Sequence, residues 1–247
     1  MPLRRVGPVS AALCLLLLGP LAAAASLPPI PKWVRGPTYK GPGYWKDFTI
    51  KQQRECQAVV KAADKAGERF DFVLYGDSVL RVIARGSKAE WKQLFPPSKG
   101  WHAVPLGVSG NDIEDVAWRL MTGAEKPKAA PKVVGLLVGT NNLRAHQSAS
   151  MIAGLMDYLL GWMQAAFPDS EILVLNLLPR TSPDVGPVNK KLKALCEKRG
   201  IHWSTCGSDI DPRDPRQLYD GTHPAQEGAD KVLRCLAPEV GRLAGKA

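Results

Sequence analysis

Five short apolar runs recur along the chain, separated from one another by stretches of helical periodicity. The runs are Phe70–Tyr75, Ala103–Leu106, Val133–Val138, Ile172–Leu177 and Ile201–Ser204. Each is too short for a helix and is apolar on consecutive positions, which is the pattern of a strand buried on both faces. Between them, Val79–Phe95 (in broken pieces), Ile113–Met121, Ser148–Phe167 and Val188–Lys198 read as helices, with Lys51–Ala66 before the first run and Ala225–Leu243 after the last. Strands alternating with helices predict a parallel sheet covered on both faces, an α/β sandwich of three layers. Such sheets bind their ligands outside the carboxyl ends of the strands.

Chemistry-bearing residues gather at those ends. The first run is followed by Gly76-Asp77-Ser78, the second by Gly107-Val108-Ser109-Gly110-Asn111, the third by Gly139-Thr140-Asn141-Asn142, and the fifth by a loop holding Asp220-Gly221-Thr222-His223-Pro224. Ser78 is a candidate nucleophile, because a serine hydroxyl beside a base that titrates near neutrality can be deprotonated as it attacks. Of the four histidines, His223 alone has an acid three residues before it and a proline after it. Asp220 would orient its ring and stabilise the imidazolium. His102 and His202 sit at or near strand starts, at the opposite end of the sheet, and read as structural; His146 follows the third-strand loop and reads as surface. Asp77 reads as the residue that fixes the turn into the helix, and Asn142 as a supporting residue.

These four blocks resemble the SGNH hydrolases, also called GDSL esterases, from about Phe70 to Leu243. Within that family Trp118-Arg119-Leu120, Lys132-Val133-Val134, Gly139-Thr140-Asn141-Asn142 and Leu177-Leu178-Pro179-Arg180 look like the branch of intracellular platelet-activating-factor acetylhydrolase catalytic subunits. The resemblance implies a flavodoxin-like sandwich with strand order 2-1-3-4-5. It also implies Ser78 as nucleophile, Asp220 and His223 as the rest of a triad, and the Ser78 amide, Gly110 and Asn141 as oxyanion-hole donors. Val79 stands where the motif name expects Leu, and Asn111 where the second block usually has Asp.

The expected reaction is hydrolysis of a small-acyl ester, acetyl by the branch resemblance, with no metal or organic cofactor; HExxH, P-loop and GxGxxG patterns are all absent. The last block also resembles that of carbohydrate acetylesterases, so a lipid acetyl ester, an acetylated glycan and a lysophospholipid stay open as substrates. A non-catalytic wall- or lipid-binding protein on the same fold is the reading from a different class.

The chain has 247 residues and a formal charge of +10. The cations are scattered, and no RNP, zinc-finger or helix-turn-helix pattern accompanies them, so nucleic acid is not an expected partner. Arg4-Arg5, the apolar stretch Ala11–Leu18 and the small residues Ala22–Ser26 follow the order of a secretory signal. Residues 1–25 are therefore expected to be a leader, giving export or delivery to an organelle lumen, and their removal takes the charge from +10 to +8. The apolar stretch is shorter than the roughly 20 residues of a membrane span. Residues 26–48 read as an irregular extension rich in Pro, Gly and aromatics, and residues 49–247 as one hydrolase domain. In an oxidising compartment Cys56, Cys196, Cys206 and Cys235 permit two disulfides in any of three connectivities, buried free thiols being the alternative. The oligomeric state is not legible.

Overall fold

The computed structural model describes residues 26–34, 36 and 43–246. The expected leader (residues 1–25) and part of the expected extension (residues 35 and 37–42) lie outside the described residues. The five strands are β1 (Phe72–Gly76), β2 (Ala103–Gly107), β3 (Val133–Leu137), β4 (Glu171–Leu175) and β5 (His202–Ser204). They form one parallel sheet in the order β2-β1-β3-β4-β5, with Gly76 level with Gly107 on one side and Leu137 on the other.

Alternation along the strands sends successive side chains into two different cores. On one face Val73, Tyr75, Val134, Leu136 and Val174 pack against α1 (Gly43–Ala66), α4 (Ile113–Met121), α6 (Ala149–Ala166) and α7 (Gly186–Arg199). On the other, Phe72, Leu74, Val133, Leu137 and Leu173 pack against α2 (Ser78–Gly86), α3 (Lys88–Leu94) and α8 (Gln226–Leu243). All five β1 residues are buried, the burial expected of a central strand.

Close approach of α2 to β2 depends on Gly107. A Cβ there would lie 2.6 Å from the Arg81 backbone nitrogen, so glycine lets the helix that starts with Ser78 sit directly against the neighbouring strand end.

Three expectations are corrected. The first helix begins at Gly43 and not at Lys51, so Gly43–Phe48 belong to α1 and not to the irregular extension. No proline follows Pro42 in this stretch, and Trp45, Thr49, Gln52, Cys56, Val60 and Ala63 continue one helical stripe that its aromatic composition obscures. A short helix, α5 (Thr140–Arg144), stands where a loop is expected after β3. Only one disulfide forms among the described residues, Cys206–Cys235, while Cys56 and Cys196 are buried free thiols. Cys56 lies on α1 beside β2 and Cys196 on α7 beside β5, at opposite edges of the sheet, so the two cannot meet. Burial pushes the two thiols up to about 11 and about 12.

The start of the extension drapes over the helical face. Trp33 meets Tyr158 edge-on at 5.7 Å, and the Tyr158 hydroxyl donates to the Pro29 carbonyl. Tyr44 and Trp45, by contrast, are exposed on the first turn of α1.

Candidate active site

Ser78 is placed by a sharp passage from strand to helix. β1 ends at Gly76, Asp77 caps α2 by accepting the Val79 N–H at 2.8 Å, and Ser78 is the first helical residue. Asp77 therefore does fix the turn, and its wholly buried carboxyl is pushed up to about 7, burial being the main cause.

The expected partners of Ser78, His223 and Asp220, come from the loop between β5 and α8. Ser78 Oγ lies 2.9 Å from His223 Nε2, and His223 Nδ1 lies 2.7 Å from Asp220 Oδ2. An ionised carboxylate can only accept, so the ring proton resides on Nδ1 and the Nε2 lone pair faces the serine hydroxyl. Asp220 Oδ1 accepts from the backbone N–H groups of Thr222 (3.0 Å) and His223 (2.7 Å), which folds the loop into the turn that presents the ring. Burial on its own raises the Asp220 carboxyl, but the hydrogen bonds from the His223 amide and ring and from Thr222 outweigh it and hold it below the ordinary carboxylate value.

The turn is anchored from three sides. Tyr219 N–H donates to His223 O at 3.1 Å, Ala225 N–H to Gln217 O at 2.8 Å, and Thr181 N–H, from the loop after β4, to Gly221 O at 3.0 Å. Side-chain exposures of 24% for His223 and 44% for Asp220 leave the pair open to substrate.

The expected oxyanion donors stand at the ends of the strands flanking β1. Gly110, in the turn between β2 and α4, has φ +79, a left-handed conformation that glycine adopts without a Cβ penalty. Asn141, in the first turn of α5 after β3, donates one Nδ2 hydrogen to Asn111 O at 2.7 Å, so its amide already faces the Gly110 turn. Asn142 is buried behind it: its Oδ1 accepts from Ile113 N–H at 3.0 Å and its Nδ2 donates to Glu114 and Gln147.

The remaining histidines lie elsewhere. His102 packs on Phe70 and faces Glu68, and His202 meets Glu171 at 2.7 Å, both at strand starts. His146 is exposed with φ +59.

Two residues at this edge carry no expected role. Tyr219 stacks on the His223 ring at 5.8 Å and is 55% exposed; adjacency to Asp220 is its only sequence signal. Arg180 donates through Nη1 to the Thr140 carbonyl and hydroxyl and through Nε to Ser182 O, tying the loop after β4 to α5. Burial chiefly, with Arg144 nearby, lowers the affinity of its guanidinium for the proton.

For metals, one cluster of potential ligands gathers among the described residues: Cys206, Cys235 and Glu239. The two sulfurs are bonded to each other, which leaves one carboxylate. No helix among the described residues is long and apolar enough to cross a membrane.

This arrangement, a serine, histidine and aspartate in hydrogen-bond line at one edge of a 2-1-3-4-5 sheet, has clear relatives. A family model described as GDSL-like lipase/acylhydrolase matches residues 74–231, and the chain belongs to that family. Platelet-activating factor acetylhydrolase IB subunit alpha1 of Rattus norvegicus is 32% identical over 195 residues, 73% of this chain and 79% of that protein. The rat alpha2 subunit is 34% identical over 110 residues, so the match spans 44% of the length of each. Among solved structures, a GDSL-like lipase from Bacteroides thetaiotaomicron superposes with a TM-score of 0.61 at 15% identity, covering 78% of this chain and 98% of that one. A carbohydrate esterase family 3 protein from Talaromyces cellulolyticus gives 0.55 at 21% identity, covering 72% and 99%. Both structural likenesses concern the fold.

Proposed function

We propose that this protein is a serine esterase that hydrolyses a small-acyl ester, acetyl in the first instance, through an acyl-enzyme on Ser78. The continuous line of hydrogen bonds from Ser78 Oγ through His223 to Asp220, at 2.9 and 2.7 Å, carries the reading. His223 Nε2 takes the Ser78 proton as Oγ attacks the ester carbonyl, and Asp220 stabilises the imidazolium. The carbonyl oxygen becomes an oxyanion facing the Ser78 and Gly110 amides and the Asn141 side chain. Collapse expels the alcohol, which receives its proton from His223. Water, deprotonated by the same ring, then releases the acid and regenerates Ser78.

The acetyl preference rests on the relatives, since the rat alpha1 protein is a platelet-activating factor acetylhydrolase subunit. We propose further that residues 1–25 direct export, a reading that the Cys206–Cys235 disulfide supports because such bonds persist in oxidising compartments.

The test is fluorophosphonate labelling beside a p-nitrophenyl ester series from C2 to C12, on wild type and Ser78→Ala. Serine-dependent labelling with the highest kcat/KM at C2 is expected. Absence of labelling and of Ser78-dependent turnover overturns the esterase reading; maximal rates at C8 or longer overturn the small-acyl reading. Acetylated xylan and a 2-acetyl phospholipid, compared on the same enzyme, separate a glycan alcohol from a lipid one.

A further inference from the structure

Gly110 sits in a turn whose two neighbours are tied down by side chains from other elements. Ser109 N–H donates to Gln52 Oε1 on α1 at 2.8 Å. Asn111 is held at three points: its N–H donates to Val108 O at 3.3 Å, its carbonyl accepts from Asn141 Nδ2 at 2.7 Å, and its Oδ1 accepts from Arg119 Nη1 at 3.2 Å. Asn111 thus bridges the two expected oxyanion donors outside α2, being the chain neighbour of one and the anchor of the other.

Arg119 is 1% exposed and reaches three segments at once. The Nη1 that meets Asn111 also donates to Gly76 O at 3.1 Å, two residues before Ser78, and Nη2 donates to Leu106 O at 2.6 Å. Nε and Nη2 both meet Glu125 Oε2, at 3.0 and 2.6 Å, and Glu125 is wholly buried. Burying such a pair brings a desolvation penalty of several kcal/mol per ion, and apolar replacements of similar volume are often as stable. Stability alone is therefore a weak reason for an ion pair at this place. A planar guanidinium can instead fix several acceptors in one rigid geometry, which no apolar side chain does.

We propose that Arg119, acting through Asn111, is a positioning residue for the oxyanion donors Gly110 and Asn141. The guanidinium registers the Gly110 turn against the carbonyl of Gly76 and so against Ser78, while Glu125 neutralises it. The inference rests on the acyl-transfer reading above.

Asn111→Ala removes the acceptor and leaves Arg119 bonded to Gly76, Leu106 and Glu125, whereas Asn111→Asp keeps an acceptor. The readouts are kcat and KM for an acetyl ester, the Ki of a trifluoromethyl ketone that becomes an oxyanion on Ser78, and the thermal midpoint. For Asn111→Ala we expect kcat to fall roughly 10- to 100-fold, short of the loss of a whole donor. Ketone affinity should fall by a similar factor while KM and the thermal midpoint stay near wild type, and Asn111→Asp should restore most of kcat. Arg119→Lys, which keeps the charge but not the planar fork, should lower kcat and raise Ki as Asn111→Ala does.

Unchanged kcat and ketone affinity in Asn111→Ala would overturn the proposal. So would a loss that Asn111→Asp fails to rescue, or one that follows the thermal midpoint and leaves ketone affinity intact. If Ser78→Ala retains full turnover, the esterase reading has failed; if wild type depends on Ser78 and Asn111→Ala behaves as wild type, the positioning role alone has failed.

Discussion

Cutting the Cys206–Cys235 link isolates what one tether contributes to the segment that carries Asp220 and His223. The bond joins the loop after β5 to α8 across a sequence separation of 29, with the two Cα atoms 5.5 Å apart. Closing a loop of that length removes conformational freedom from the unfolded chain equivalent to about 3.5 kcal/mol at 25 °C. Cys235 is exposed, so Cys235→Ser leaves no cavity and the loss should consist almost wholly of this chain term. For a domain of this size it corresponds to a fall in Tm of roughly 7–14 °C. Urea melts of oxidised wild type, of wild type with dithiothreitol, and of Cys235→Ser supply the comparison. The last two should agree with each other and lie below the first. Below the melting range activity should persist, because the bonds from Tyr219, Ala225 and Thr181 hold the Asp220–His223 turn independently of the sulfur link. A difference under about 1 kcal/mol, or melts insensitive to reductant, would refute the reasoning.

His223→Ala should cost as much kcat/KM as Ser78→Ala, whereas His146→Ala should cost little; equal losses in the two histidine variants would reopen the assignment of the base. Asp220→Asn, which permits the wrong ring tautomer, should lower kcat by about 10³- to 10⁴-fold with KM little changed, read from steady-state kinetics on one acetyl ester. Asn141→Ala should lower kcat about 10²- to 10³-fold, and a smaller effect would show that its second N–H does not reach the oxyanion. Asp77 gives a stability signature. Its carboxyl is raised to about 7 by burial, against about 3.9 in an unfolded chain. Between those values the native state keeps a proton that the unfolded state has lost. Stability therefore falls as pH rises through that window, by up to about 4 kcal/mol, and Asp77→Asn should flatten the slope in urea melts near pH 5 and pH 8.

The alternation of apolar runs and helical stretches determined most of the architecture, because a strand buried on both faces has to be apolar throughout and a helix covering it has to be amphipathic. Ile113–Met121 is bounded in the structure as its periodicity predicts, and each strand falls within two residues of its expected limits. The blocks at Ser78, Gly110 and Asn141 were legible for a related reason: a βα turn is local, so a polar residue just after an apolar run lands at the sheet edge whatever the rest of the chain does; Asp220 and His223, in the long loop between β5 and α8, were legible from their spacing and the proline that follows. Tertiary structure decided what depends on segments distant in sequence. Whether Cys56 and Cys196 could pair depended on which sheet edge each helix covers. The reach of α1 back to Gly43 was hidden because its first turns carry the exposed aromatics Tyr44, Trp45 and Phe48, which obscure the start of the helical stripe. The bonds of Arg119 to Gly76, Leu106 and Asn111, and of Arg180 to Thr140, join carbonyls and side chains that no local pattern marks. A backbone oxygen looks the same in every residue of a sequence; only the folded chain determines which one is left facing a guanidinium.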